Sequence, residues 1–154
     1  MAIQHLSHIG LCVADLAAAR RFYIEGLGFE EVHRLEVRGE HPEILLQMPG
    51  LDLEVVYLVR DGTCIELLHY RVPGHQGHAD ARPMNLQGLT HLSLRTDDLI
   101  GDLAKLESLG GRALEETRID NPDYQSQVIF VLDPDGTRIE LVQGPGDPTR
   151  LPGA

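Results

Sequence analysis

The feature that most constrains this chain is a stretch that occurs twice. Asp61–Leu68, DGTCIELL, returns as Asp135–Val142, DGTRIELV, with six of eight positions identical and a leucine-to-valine swap at the end. Such a match inside a short chain asks for a longer duplicated unit. One is present: HIGLCVADL from His8 matches HLSLRTDDL from His91, with the histidine, the leucine three residues on and the Asp-Leu pair at positions eight and nine in register. If the units are equivalent, Glu66 and Glu140 are equivalent, and so are His8 and His91.

Each copy reads as a strand, a helix and three strands. Residues 5–13 alternate as a half-buried strand. Asp15 can cap a helix carrying Leu16, Ala19, Phe22, Tyr23 and Leu27 at helical spacing, with Gly26 and Gly28 as its stop. Residues 29–37 predict a second strand, 39–50 a loop or broken strand containing Glu43, and Leu53–Val59 and Thr63–Tyr70 a hairpin closed at Arg60–Gly62. In the second copy Asp98 is the cap, Leu99, Leu103, Leu106 and Leu109 form the helix stripe, and Gly110 and Gly111 end it. Residues 112–118 predict a short strand, Gln127–Leu132 and Thr137–Val142 two more, with a turn over Asp133–Gly136. The expected organisation is a first module at 5–70, a linker at 71–88, a second module at 89–143 and an irregular tail at 144–154.

Side-chain parity then assigns faces. His8 lies opposite Ile9 and Leu11, His91 opposite Leu92 and Leu94, Glu66 opposite Ile65 and Leu67, and Glu140 opposite Ile139 and Leu141. All four polar groups therefore point away from the helix-packed faces. A carboxylate among aliphatics is costly unless solvated, paired or metal-bound. Two imidazoles and two carboxylates brought to one point would suit a divalent cation with open positions; the plainer alternative is two His-Glu pairs on a solvated face. His75 and His78 lack carboxylate or thiol companions and read as solvated, and His5, His33, His41 and His69 as surface or rim residues. Tyr57, Tyr70 and Tyr124 could line a pocket, although aromatics at such positions more often pack, and Cys12 and Cys64 read as small hydrophobes.

The formal charge of -11 leaves no basic stripe for nucleic acid or an anionic membrane surface. No apolar run approaches the roughly 18 residues that span a bilayer. MAIQHLSHIG lacks the pattern of a secretory signal, and two cysteines make no disulfide framework, so the expected location is cytoplasmic.

With HIGLCVADLAAARRFYIEGLGFE opening one module and GLTHLSLRTDDL and DPDGTRIELVQ framing the other, the chain resembles the vicinal oxygen chelate superfamily over residues 5–143. That group includes glyoxalase I, methylmalonyl-CoA epimerase, extradiol dioxygenases, fosfomycin-resistance enzymes and bleomycin-binding proteins. The resemblance implies an α+β fold of two tandem βαβββ modules, their curled mixed sheets forming an open barrel around a metal with helices outside. It places the ligands at His8, Glu66, His91 and Glu140, around one divalent zinc, nickel, cobalt, manganese or iron ion. It also implies a small carbonyl, thioester or diol substrate and a homodimer; the linker lets the modules meet within one chain or across two.

Glyoxalase I enzymes typically carry Glu at the second ligand position and epimerases usually Gln, so Glu66 favours the glyoxalase-like set. The implied activity is a lyase or isomerase that removes a proton beside a carbonyl through a metal-bound enediolate, with Glu140 or Glu66 as the base. Glu43, in PEILLQMPG, sits where epimerases place a catalytic glutamate. The alternatives are an iron(II) ring-cleaving dioxygenase using His8, His91 and Glu140, and a non-catalytic drug- or metabolite-binding protein of the bleomycin-resistance type.

Overall fold

In the computed structural model, which describes residues 2–150, the repeated sequence becomes a repeated topology. The chain divides between Gly77 and His78 into two compact units. The first contains β1 (Ile9–Cys12), α1 (Leu16–Arg21), β2 (Glu30–Val37), α2 (Glu40–Leu46), β3 (Asp52–Arg60) and β4 (Thr63–Val72). The second contains β5 (His91–Thr96), α3 (Leu99–Ser108), β6 (Arg112–Asn121), β7 (Ser126–Leu132) and β8 (Arg138–Gln143). Strand order is β1-β4-β3-β2 in one sheet and β5-β8-β7-β6 in the other. In each, the first strand runs parallel to the last and the other pairs are antiparallel. A parallel pair needs a crossover, which here contains the helix. The fold is thus α+β, built from βαβββ modules.

In the first unit, Asp15 accepts hydrogen bonds from the Ala17 and Ala18 amides at 2.9 and 3.0 Å and starts α1. The helix ends in a π-turn over Phe22–Gly26, a departure from the single regular helix predicted by spacing. That turn seats both Phe22 and Tyr23 in the core. The facing side of the sheet supplies Val56, Leu58, Ile65 and Leu67, all fully buried. Asp61 and Gly62 both take positive φ, 50° and 75°, as a two-residue hairpin turn requires.

The stretch 39–50 corrects the expectation of a loop or broken strand, because Glu40–Leu46 is helical. Pro42 looks like a breaker, yet in a first turn its missing amide costs nothing. Glu40 and Glu43 add negative charge near the helix N-terminus. The short helix has a structural role. Its Leu46 packs with Met48 on a second apolar cluster built on Leu51, Leu53 and Val55, joined by Leu35, Val37, Tyr57, Leu68 and Tyr70. This cluster occupies the sheet face opposite Ile65 and Leu67.

In the second unit Asp98 accepts from the Gly101 amide at 2.9 Å, and Leu99, Leu103 and Leu106 are buried. β6 runs on past the predicted 118. Pairing breaks between Leu114 and Ile119, where the Thr117 hydroxyl donates to the Leu114 carbonyl and accepts from the Phe130 amide, and then resumes to Asn121. The expected linker is partly structural: β4 continues to Val72, and the Arg82 carbonyl accepts from Arg138. Gly136, at φ 85°, sits so close to Ala79 that an added Cβ would lie 2.7 Å from its backbone, so only glycine fits. The predicted tail has neither helix nor strand from 144 to 150, and residues 151–154 lie outside the described residues. No described helix is long and apolar enough to cross a membrane.

Candidate functional site

His8 immediately precedes β1, and Glu66 lies in β4 in register with Gly10 on one side and Tyr57 on the other. Because Ile65 and Leu67 are buried on the helix side, Glu66 projects from the opposite face. There its Oε2 lies 3.3 Å from His8 Nε2. The Tyr57 hydroxyl donates to Glu66 Oε1 at 2.6 Å. That hydrogen bond, reinforced by burial and the carboxylate's charge, pushes the Tyr57 phenol up to about 12. The Tyr57 ring meets the His8 ring edge-on at 5.5 Å and stacks with His33 at 6.2 Å. The Ser7 hydroxyl lies 3.0 Å from His8 Nδ1.

The second unit repeats the pair. His91 begins β5, Glu140 lies in β8, and His91 Nε2 is 3.9 Å from Glu140 Oε2. Its register partners are Ser93 and Phe130. The Ser93 hydroxyl donates to Glu140 Oε2 at 2.6 Å, and the His91 ring meets the Phe130 edge at 5.4 Å. The Thr90 hydroxyl lies 2.8 Å from His91 Nδ1. In both units, therefore, a hydroxyl on the preceding residue engages Nδ1 and leaves Nε2 toward the glutamate. Such partners orient an imidazole and fix its tautomer. Ser7-His8 and Thr90-His91 are visible in the sequence as an extension of the repeat.

The donor chemistry fits a divalent cation. Each pair offers one imidazole nitrogen and one carboxylate, and two such pairs balance a dication's charge with borderline ligands. Among the described residues, neither pair gathers a third His, Cys, Asp or Glu around it. Neither pair alone is a complete metal centre.

The other predicted residues fall elsewhere. Glu43 is half-buried on α2, beside a shallow groove shared with Glu40, Ile44, Gln47 and Pro49. Among the described residues no hydrogen bond or ion pair joins it to His8 or Glu66. His75 and His78 are exposed, as expected. Tyr57, which the sequence leaves between pocket lining and packing with packing favoured, is brought to Glu66 by cross-strand register. Tyr124 is exposed rather than packed. Cys12 is also exposed, while burial first and the Glu66 charge second push the Cys64 thiol up and keep it protonated.

Comparison with known proteins gives a consistent likeness. The profile of the glyoxalase/bleomycin resistance protein/dioxygenase superfamily matches residues 5–141. The uncharacterized protein YaeR of Escherichia coli (strain K12) is 31% identical over 146 residues, covering 93% of this chain and 98% of YaeR. A glyoxalase family protein from Bacillus cereus superposes with a TM-score of 0.79 at 20% identity, covering 95% of this chain and 99% of that one. The trypanothione-dependent glyoxalase I of Leishmania major gives 0.62 at 21% identity, over 92% and 87% of the two chains. The fosfomycin resistance protein FosX of Listeria monocytogenes, solved with Mn(II) and sulfate, gives 0.56 at 19% identity, over 93% and 94%. At these identities the structural likeness speaks to the fold.

Proposed function

Because the chain belongs to the glyoxalase/bleomycin resistance protein/dioxygenase superfamily, we propose that His8, Glu66, His91 and Glu140 serve one divalent cation. We further propose that the protein is a lyase or isomerase of glyoxalase I or epimerase type, acting on a small carbonyl, thioester or diol substrate. The observation that carries this reading is the repetition of one His-Glu contact, 3.3 Å in one unit and 3.9 Å in the other, on equivalent strands. That Leishmania major glyoxalase I and the Mn(II) complex of FosX share the fold supports it.

When bound, a divalent ion would act as a Lewis acid on the substrate's carbonyl oxygen. The remaining work falls to the chain's own groups. The hydroxyls of Ser7 and Thr90 orient the two imidazoles through Nδ1. Both contacts to Glu140 fall on Oε2, and among the described residues Oε1 has no hydrogen-bond partner. Glu140 Oε1 is therefore our choice of base for the proton on the carbon beside the carbonyl. Val55 and Leu68, packed in one cluster with Tyr57, give the Glu66 face apolar surface. The homodimer and the role of Glu43 belong to the same proposal; Glu43 would act only on a substrate that reaches α2.

The test is solvent-deuterium exchange with hemithioacetals and with thioesters that carry a proton on the carbon beside the carbonyl. Deuterium should enter the carbon beside the carbonyl with no oxygen consumed, and Glu140→Gln should slow exchange by roughly 10²- to 10⁴-fold. Oxygen uptake with a catechol, lost when iron is removed, would instead establish the dioxygenase reading.

A further inference from the structure

Resting on that reading, we propose that Tyr57 is a positioning residue for the metal centre. Its hydroxyl holds one oxygen of Glu66, so that this carboxylate presents only the other, beside His8, to a cation. The two units differ in the residues that flank the glutamate on its neighbouring strands. Opposite each glutamate, on the antiparallel neighbour, stands Tyr57 in one unit and Phe130 in the other. On the parallel neighbour stand Gly10 and Ser93. Each carboxylate thus receives one hydroxyl, but from opposite sides.

The consequence is chemical. Tyr57 takes Glu66 Oε1 while His8 faces Oε2, so the two oxygens are divided between two partners. Ser93 and His91 both engage Oε2 of Glu140. The anchor on Glu66 is also the stiffer one: the Tyr57 ring belongs to the apolar cluster over β3 and lies between the His8 and His33 rings. A phenol so packed fixes the carboxylate plane, whereas Ser93 is exposed and its hydroxyl is held by the Glu140 bond alone. Glu66 is thereby the fixed, single-oxygen ligand of the pair of carboxylates.

The units also supply the control. Gly10 has no positive φ, and a Cβ there would lie 3.7 Å from Glu66 Oε2 and 3.2 Å from the mobile end of Leu68. Serine at position 10 would stand toward Glu66 as Ser93 stands toward Glu140. The experiment measures Mn(II) affinity of the full chain by electron paramagnetic resonance for wild type, Tyr57→Phe and the double variant Tyr57→Phe/Gly10→Ser, with metal-free melting temperatures alongside. Tyr57→Phe should bind Mn(II) about 10-fold or more weakly with its metal-free melting unchanged. The double variant, whose serine reaches Oε2 and leaves Oε1 unanchored, should not recover the loss. Wild-type affinity in Tyr57→Phe, or recovery of the loss by a serine hydroxyl on Oε2, overturns the inference while leaving the metal reading in place. A wild type that binds no Mn(II) overturns the metal reading, and this inference with it.

Discussion

At the scale of single residues, the Tyr57–Glu66 contact makes a direct prediction about protonation. The phenol is raised to about 12 by the Glu66 hydrogen bond, then by burial. Its unfolded value is about 10. A raised folded value means that this contribution to stability is complete below about pH 10 and is lost as pH rises through about 12. Ultraviolet titration of the chain's four tyrosines should therefore include a phenol titrating at about 12, absent in Tyr57→Phe and moved back toward the ordinary range in Glu66→Gln. An unchanged late titration in Glu66→Gln would contradict the assignment. On the acid side, the hydrogen bond from Arg38, followed by that from Arg71, holds the Asp52 carboxyl below its usual value. The stability it contributes is present above the ordinary carboxylate pKa and lost as pH falls through the depressed one. Acid unfolding of Asp52→Asn should lack that component. The positions of His8, Glu66, His91 and Glu140 were legible in the sequence because strand parity is fixed at two. Tyr57 was not, because which residue lies opposite Glu66 depends on hairpin register across β3 and β4, and a tyrosine in an alternating strand looks the same whether it packs or donates.

At the scale of elements, the strands and the two crossover helices follow from periodicity and caps, and their energetics can be tested singly. Asp15→Ala removes the acceptor for two amides at the start of α1 and should cost about 1 kcal/mol. Ile65→Ala empties a fully buried position on the helix-packed face of β4 and should cost roughly 2–5 kcal/mol in urea unfolding. A loss below about 1 kcal/mol there would deny the core its assigned face. What the sequence concealed at this scale is α2. Pro42 and the flanking glycines punctuate like a loop, and seven residues are too few to display a helical period. Tertiary packing decides the matter, since Leu46 and Met48 cover apolar side chains on the sheet face that lacks a crossover helix. The length of β6 was concealed for a related reason: its pairing is interrupted, and Thr117 stands where the alternation fails.

At the scale of the whole molecule, duplication sets the logic of the candidate site. Each unit folds around its own core and carries one imidazole and one carboxylate beside it, so the divalent centre proposed above would draw a half-set of ligands from each unit. The net charge of -11 attracts cations to the surface in general, which makes bare binding a weak test and a site-specific variant necessary. The most direct measurement is the metal content of the purified full chain after equilibration with divalent ions and removal of excess, for wild type beside Glu66→Gln. The wild type should retain one ion per chain. The variant should lose affinity by more than the roughly 10- to 100-fold that removal of an outer partner costs. A wild type that retains no divalent ion, or a Glu66→Gln protein that keeps both ion and activity, would contradict the account.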